Sequence, residues 1–327
     1  MTTIVGTNNS ESLVGTEETD YLYGNGGADT LIGYGFPDYL YGDDGKDYIF
    51  GGNGNDYIQG GNSDDILFGG STDSGADTIY GDGSGASTGQ VGDDQIYLND
   101  GADYAQGGGG DDTIGGGLGS DTIYGDLSGG TQYGSDQIFG SQGNDLIYSG
   151  QGQDTVYSGT EDDLIYISGT NGQFGGGSGD DTIQTTTGYT ASSNTIYGGS
   201  GHDYIYAYQS YSNKIWGGGD ADYIVLYDYN SSDRVFYQAG QTGTGSNYLT
   251  GSDTVYGFEH DVDVIDLSLY TYNNAGATTD LLATDVSVTA VSNSGGVYQT
   301  LITINAETTE QIVVYGDAYL DAGDLYV

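Results

Sequence analysis

The chain has no cysteine, a single proline and only three basic residues among its 327. Without cysteine there are no disulfides, no thiolate zinc sites and no thiol catalysis, so another interaction must stabilise the fold. The basic residues Lys46, Lys214 and Arg234 cannot form the basic patch that binders of nucleic acid or of anionic membranes need. No apolar run approaches the roughly 20 residues of a membrane-spanning helix. We therefore expect no nucleic-acid partner and no insertion into a membrane.

Apolar content is also low, whereas acidic residues and glycine are abundant. Apolar residues make up 35% of the chain, below the usual share of roughly 45–50%. The chain has 48 acidic residues, 63 glycines and a formal net charge of −45. This composition is typical of a disordered, low-complexity chain. Regular spacing argues against that interpretation.

An aliphatic residue recurs every nine positions through the first part of the chain. The series is Ile4, Leu13, Leu22, Leu31, Leu40, Ile49, Ile58 and Leu67. Two positions before each aliphatic, from Glu11 onward, stands an acid that follows a glycine-rich turn. With insertions the unit continues to Asp263, giving 26 units of which 21 have Asp at the acid position. The other five have Thr2, Glu11, Gly172, Asn194 and Asn213 there. A fixed period of this kind predicts a repeat architecture.

The turns have the composition of calcium-binding loops. Glycine permits positive φ angles and close approach of backbone carbonyls, and calcium takes six to eight oxygen ligands from carboxylates and carbonyls. One Asp supplies only part of that shell, so we expect each ion to lie between two stacked turns. A single such Asp could equally be a solvated loop acid or an Asx-turn, but the register of the whole series favours ligands.

The candidate ligands fall into two sets. The candidate carboxylates are those of Asp20, Asp29, Asp38, Asp47, Asp56, Asp65, Asp77, Asp94, Asp103, Asp112, Asp121, Asp136, Asp145, Asp154, Asp163, Asp181, Asp203 and Asp222. The five complete turns, which run from Gly51, Gly107, Gly116, Gly176 and Gly198, add the glycines at their first position. The same turns add the residues at their third position, which are Asn53, Gly109, Leu118, Ser178 and Ser200.

The unit G-G-x-G-x-D-x-U-x, with U aliphatic, resembles the nonapeptide of the RTX (repeats-in-toxin) calcium-binding family over roughly residues 1–265. The resemblance implies two nonapeptides per turn, and hence an all-β, right-handed parallel β-roll solenoid of about 13 turns. It also implies calcium as cofactor, on the order of 20 ions. Residues 1–252 are expected to form the roll. Residues 253–327 are expected to hold its last turn, a capping module and a secretion signal.

The C-terminal segment has a different pattern. Residues 286–290 and 298–304 read as strands around a Ser-Asn-Ser-Gly-Gly turn, and 311–315 as another strand, so we expect a β-hairpin cap on the solenoid. The segment resembles the C-terminal module of RTX proteins exported by type I secretion. The ending Asp324 to Val327 is similar to their uncleaved export signal, and the N-terminus lacks a cleavable signal peptide. The resemblance implies the type I machinery as a partner and an extracellular or cell-surface location.

Alternate turns are expected on opposite edges of the roll. Turns ending at Asp20, Asp38, Asp56 and their successors keep nearly constant length, whereas the other edge has insertions before Asp94, Asp136, Asn194, Asn213, Asp233 and Asp263. We expect fewer calcium ions on that second edge in the later half of the chain. Outward positions next to the aliphatics are predominantly aromatic in both predicted sheets. They predict either cross-strand stacking or a surface for association.

Nothing in the sequence indicates an enzyme. His202 and His260 form no H-E-x-x-H zinc motif, G-x-S-x-G is absent, and the paired acids are already explained as ligands. The leading hypothesis is a secreted structural protein that folds on binding calcium and self-assembles into a surface layer or filament, through its aromatic faces and an open N-terminal edge. The alternative is a monomeric, calcium-loaded adhesin or glycan-binding module, with a cell-surface polysaccharide as a possible ligand.

Overall fold

The computed structural model describes residues 1–70, 75–83, 91–127, 133–186, 192–208, 212–227, 232–236, 252–258, 263–267, 271–274, 277–280, 286–294, 297–304, 310–316, 320 and 324–326. All regular structure in these residues is β-strand. None of them forms a helix long and apolar enough to cross a membrane. The chain divides into two compact units, Met1–Gly169 and Thr170–Val327.

In the first unit, successive strands alternate between two parallel sheets. The first sheet contains β1 (Thr2–Val5), β3 (Asp20–Tyr23), β5 (Tyr39–Asp44), β7 (Tyr57–Asn62), β9 (Thr78–Asp82), β11 (Tyr104–Gly108), β13 (Thr122–Asp126), β15 (Leu146–Tyr148) and β17 (Leu164–Ile167). The second contains β2 (Ser12–Val14), β4 (Thr30–Gly35), β6 (Tyr48–Asn53), β8 (Ile66–Phe68), β10 (Gln95–Asp100), β12 (Thr113–Leu118), β14 (Gln137–Gln142) and β16 (Thr155–Thr160). Two strands and two turns therefore make one coil of a parallel solenoid, as the sequence predicts.

The second unit repeats this alternation. Its solenoid strands are β18 (Gln173–Ser178), β19 (Thr182–Thr185), β20 (Thr195–Ser200), β21 (Tyr204–Tyr208), β22 (Lys214–Gly219), β23 (Tyr223–Tyr227), β24 (Arg234–Phe236), β25 (Ser252–Phe258) and β26 (Val264–Asp266). All pairs among them are parallel, for example Ile205 opposite Ile224. The predicted all-β solenoid is confirmed, with roughly the predicted number of turns.

Antiparallel strands follow the solenoid, as expected of a cap. They are β27 (Thr271–Asn274), β28 (Ala277–Asp280), β29 (Val286–Ser294), β30 (Val297–Ile304) and β31 (Glu310–Gly316), with β32 (Leu325–Tyr326) joining β26 in parallel. The predicted hairpin is confirmed, since β29 pairs with β30 and β31 then connects β30 to the last solenoid strand of its sheet, β25. Asp324 is buried, and Val327 lies outside the described residues.

The core is built on a column of apolar side chains at the equivalent position of each solenoid strand, to which some strands add a second, as β10 does with Ile96 and Leu98. Leu40, Ile58 and Ile79 stand in register in three consecutive strands of the first sheet, and all are fully buried. Their sequence neighbours point outward, because side chains alternate along a strand. A narrow core, with one buried apolar side chain in most of the described strands, explains how a chain with few apolar residues still folds into sheets.

Glycines in the turns serve two different needs. In the turn Gly107–Asp112, Gly108 and Gly110 have φ of 128° and 122°, a region that other residues rarely adopt. Gly107 has no such angle, but a Cβ there would lie under 3.0 Å from Asp112 Oδ2 and from the Gly125 carbonyl of the next coil. The first glycine is therefore required by close approach of oxygen atoms, and the second and fourth by backbone conformation.

We predict that Gly107→Ala destabilises the folded protein by about 1–3 kcal/mol, because the added methyl group overpacks the turn. Gly115→Ala is the matched control in the next strand, since its Cβ would meet only Tyr97 at 3.8 Å, an ordinary contact. Urea unfolding at saturating calcium, followed by far-UV circular dichroism, measures both free energies of unfolding. Equal stability of the two variants would contradict the close-approach explanation.

Candidate calcium-binding site

The acids of the repeats form a hydrogen-bonded ladder along each edge. In each coil, Oδ1 of the Asp accepts a hydrogen bond from the backbone N–H of the acid-position residue one coil earlier. On the first edge of the first unit the donor–acceptor pairs run Thr2 to Asp20, Asp38, Asp56, Asp77, Asp103, Asp121, Asp145 and Asp163, at 2.6–2.9 Å. On the second edge they run Glu11 to Asp29, Asp47, Asp65, Asp94, Asp112, Asp136 and Asp154, at 2.7–3.2 Å.

In many of the repeat acids the second carboxylate oxygen is buried without a hydrogen-bond partner. This holds for Oδ2 of Asp29, Asp38, Asp47, Asp65, Asp94, Asp112, Asp121, Asp136, Asp145, Asp203 and Asp222, and all of these residues are at most 3% exposed. An unpaired buried carboxylate is costly unless a cation or a proton compensates it. The repetition of the same uncompensated oxygen through the described coils is the strongest structural sign of a ligand.

In most of the described turns that begin with glycine, the unpartnered oxygen lies near a backbone carbonyl of the next coil. At Gly42, the position that a Cβ would occupy is under 3.0 Å from both Asp47 Oδ2 and the Gly60 carbonyl oxygen, and Gly60 repeats this with Asp65 and Gly81. No group of three or more His, Cys, Asp or Glu side chains that could hold a metal occurs among the described residues. The donor set is therefore mixed, with few carboxylates and several carbonyls, which suits calcium.

The pKa values of the ladder acids agree with this need for a cation. Burial raises the pKa of Asp112 to about 10, and the neighbouring carboxylates of Asp94 and Asp136 contribute further. Burial likewise raises the pKa of Asp65 to about 9 and that of Asp94 and Asp136 to about 8. In the absence of a metal ion these groups favour their protonated form at neutral pH, because their charges have no compensation.

The protein's own cations do not serve this purpose. Lys46 is exposed and pairs with the exposed Asp64, Lys214 is exposed, and Arg234 lies 3.4 Å from Asp266 in the second unit. The compensating charge for the ladder must therefore come from outside the chain.

A family model described as the RTX calcium-binding nonapeptide repeat (4 copies) matches residues 5–40, 41–74, 88–126, 131–165, 175–209 and 209–228, more than half of the chain. The chain belongs to the RTX calcium-binding repeat family. No curated protein sequence matches it. The RTX repeats of this family bind calcium, and the match consists of repeats, without a catalytic domain.

The structure brings the candidate RTX ligands together along the two edges. Every predicted Asp, Asp20 included, is buried in a ladder, and the first-position carbonyls, for example that of Gly198, lie against the Asp of the preceding coil. Third-position carbonyls already accept one hydrogen bond, as Leu118 does from Gly101 N–H at 2.8 Å and Ser200 from Gly179 N–H at 2.9 Å. A carbonyl has two lone pairs, so this leaves one for a metal. Which of these residues bind an ion stays a prediction.

Asp20 differs from the other predicted ligands. Its Oδ2 accepts hydrogen bonds from the backbone N–H and the hydroxyl of Thr16, at 2.6 and 2.7 Å. Its turn, from Gly15 to Asp20, has glycine only at the first position. The oxygen that is available elsewhere is satisfied here by the turn itself, which makes Asp20 the weakest candidate.

Asparagine replaces aspartate on the second edge of the second unit. Gly172 N–H donates to Asn194 Oδ1 at 2.8 Å and Asn194 N–H to Asn213 Oδ1 at 3.1 Å, so the ladder continues without the charges. This arrangement supports the expectation of fewer ions there. The irregular loops predicted on this edge fall partly on residues outside the described ranges.

Sequence reasoning missed two buried acids. Asp82 and Asp126 are 9% and 7% exposed, and each stands at the second position of a turn with a long insertion. The repeated segment Thr-Ile-Tyr-Gly-Asp, which ends at both residues, is the signal that could have found them. The ladder also contains Asp233, Asp253 and Asp263, which the sequence placed in the repeat series but not among the ligands.

Replacement of one ladder acid by asparagine separates its hydrogen bond between coils from its predicted role in calcium binding. We predict that Asp112→Asn retains the inter-coil hydrogen bond, as Asn194 and Asn213 do, but weakens calcium binding at its turn roughly tenfold or more, since affinity depends on ligand charge. In chelator the same variant should be more stable than the original protein, because a buried carboxyl group no longer has to remain uncompensated. Calorimetric calcium titration measures the first effect, and far-UV circular dichroism in chelator, which reports the folded fraction, measures the second.

The neighbouring Asp111→Asn is the matched control, because Asp111 is exposed and its Oδ1 accepts only hydrogen bonds at the surface, such as that from Ser135 N–H at 2.7 Å. Comparable calcium affinities for the two variants would refute the ladder acids as ligands.

Stability of the calcium-free protein should fall as pH rises. In the folded state the pKa of Asp65 is about 9 and that of Asp112 is about 10, whereas in the unfolded state both lie near 3.8. Between the unfolded and the folded pKa, the folded state therefore holds more protons than the unfolded state. Their contribution is fully present below about pH 4 and is lost as pH rises toward about 10. Far-UV circular dichroism in calcium-depleted buffer at about pH 5 and about pH 9 measures the folded fraction, and a larger folded fraction at the higher pH would contradict this prediction.

Proposed function

We propose that the protein is a secreted structural protein that folds when it binds calcium outside the cell and then self-assembles into a surface layer or filament. Membership of the RTX family supports calcium binding and an extracellular setting. The observation that carries the folding step is the series of buried, unpartnered Oδ2 atoms. Secretion by the type I machinery follows from the resemblance of the C-terminal module.

Calcium acts as a folding switch through linkage. The unfolded chain hydrates its carboxylates, whereas folding buries them, so without calcium the native state is penalised at neutral pH. An ion that binds only the native coils adds its binding free energy to folding. Low cytosolic calcium keeps the chain unfolded and suited to export. Calcium outside the cell then drives folding.

The outward aromatic faces are the proposed assembly surfaces. In the first sheet of the first unit, Tyr124 and Tyr148 stack with ring centroids 4.5 Å apart. In the second sheet, Phe139 and Tyr157 lie 6.0 Å apart and are 39% and 46% exposed. Stacking along the sheet covers part of their apolar surface, as the cross-strand interpretation expects, but side chains such as Phe139 and Tyr157 remain more than a third exposed. A second copy that presents the same face is the occupant we propose.

A monomeric adhesin or glycan-binding module is the second candidate, because half-exposed tyrosines also bind sugars. The stacked geometry gives it less support. Rings such as Tyr21 and Tyr39, 4.6 Å apart with planes 3° apart, turn their faces toward each other and their edges toward solvent. Sugars stack on ring faces, so these rings offer little of the surface that a sugar needs. A catalytic role finds no support either, since the ladder explains the buried acids.

Electron microscopy of the purified protein in millimolar calcium and in chelator tests assembly. We expect layers or filaments with calcium and unfolded, dispersed chains with chelator. Monodisperse particles in calcium would refute self-assembly while leaving calcium-dependent folding intact, and binding of those particles to a glycan array would favour the adhesin.

Two double variants then locate the contact. Phe139→Thr with Tyr157→Thr removes two outward aromatic side chains from the second sheet. Tyr124→Thr with Tyr148→Thr is the matched control on the first sheet. Threonine preserves strand propensity, so both should fold in calcium. If only one double variant fails to assemble, the sheet that contains its substitutions forms the contact between copies. Normal assembly in both pairs would exclude these aromatic surfaces as the contact.

A further inference from the structure

Asp82 stands where the regular turn geometry is interrupted. It ends β9 and is followed by an insertion that separates Gly81 from the ladder acid Asp94 of the same turn. In regular turns the second position has a positive φ, as Asn25 does at 70°, whereas Asp82 is not among the residues with a positive φ. Its backbone therefore continues the strand.

One oxygen of Asp82 takes over a backbone function. In a regular turn the third-position N–H donates to the second-position carbonyl one coil earlier, as Asp44 does to Asn25 at 2.9 Å. At the insertion, Gly109 N–H donates instead to Asp82 Oδ2, at 2.8 Å. The carboxylate thus replaces a carbonyl in the ladder of turns, and it brings along a second oxygen.

The second carboxylate oxygen of Asp82, Oδ1, has no donor. Asp82 Oδ1 is buried without a hydrogen-bond partner, in a residue that is 9% exposed. The charge of Asp82 acts on the buried carboxylates of Asp65, Asp94 and Asp112, in the coils before, at and after it. The nearest described lysine, Lys46, is exposed and pairs with Asp64. Four buried acids therefore share one region without a basic partner.

Other oxygens stand beside it. The position that a Cβ of Gly81 would occupy is under 3.0 Å from both Asp94 Oδ2 and the Gly107 carbonyl oxygen. Two oxygens this close to one point can share a cation at the roughly 2.4 Å typical of calcium. The position that a Cβ of Gly108 would occupy is under 3.0 Å from Asp82 Oδ2, so the extra carboxylate lies beside the peptide that joins Gly107 to Gly108.

We propose that Asp82 Oδ1 is an additional, non-repeat calcium ligand, which together with Asp94 Oδ2 and the Gly107 carbonyl holds an ion at the insertion turn. This proposal rests on the calcium binding of the proposed function and adds a ligand outside the nonapeptide pattern. It explains how the second edge tolerates an insertion without losing an ion. The side chain supplies the oxygen that the interrupted backbone no longer presents.

Asp126 provides the matched control. It occupies the same position in the turn that starts at Gly125, and its Oδ2 accepts a hydrogen bond from Gln151 N–H at 2.5 Å. Its Oδ1, unlike that of Asp82, accepts one from Gly134 N–H at 3.3 Å. Asp126→Asn therefore removes the same charge from the same motif position, but no unpartnered oxygen.

The test is equilibrium dialysis of the full chain against calcium chloride, with bound calcium counted by mass spectrometry of the metal. We expect Asp82→Asn to lose one ion per chain, or to weaken one ion roughly tenfold, and Asp126→Asn to keep the original count. Circular dichroism at saturating calcium checks that the β-fold persists. Asn retains an acceptor for Gly109 N–H, and Asp82→Ser is a second variant should Asn fail to fold.

An unchanged count and affinity in Asp82→Asn would overturn the assignment. An equal loss in both variants would also overturn it, because the effect would then follow charge at the second position and not the unpartnered oxygen. Absence of calcium binding by the original protein is a distinct result, which would instead refute the proposed function.

Discussion

The structure depends on one arrangement, the contact of a buried aspartate with two neighbouring coils. One carboxylate oxygen accepts the N–H of the preceding acid-position residue, for example Asp47 Oδ1 from Asp29 at 2.7 Å. The other lies against the first glycine of its own turn, near a carbonyl of the next coil. The hydrogen bond holds the coils in register, and the second oxygen demands a cation. The same side chain thus provides both the contact between coils and the candidate metal ligand.

This arrangement changes the meaning of the acidic composition. A net charge of −45 opposes folding as long as the charges are uncompensated. In the coils many of these charges lie at equivalent positions, where calcium can neutralise them in rows. The apolar core supplies no charge that could compensate the buried carboxylates. Folding therefore depends on compensation of these charges, which calcium can supply.

Most of the fold could be predicted from the sequence, because a nine-residue period specifies strand, turn and burial together. Insertions between units do not disturb it. Asp65 N–H reaches Asp94 across 29 residues at 2.7 Å, the same distance as Asp29 to Asp47 across 18. The ligand role of Asp20 was less predictable, since the threonine that satisfies its second oxygen belongs to an atypical turn. Asp82 and Asp126 were not predicted as ligands, because they stand at the second position of their turns and not at the acid position of the repeat.

The sequence by itself determined the repeat, the buried aliphatic column, the acids on two edges, the outward aromatics and the cap hairpin, because each follows from local spacing. Only the tertiary structure decided which carboxylate oxygens are satisfied and which are not. That outcome depends on donors a whole coil away, such as Gly109 N–H for Asp82 and Gly134 N–H for Asp126. A period in the sequence states which residues face each other, but hydrogen-bond geometry between coils determines which oxygen remains for a metal.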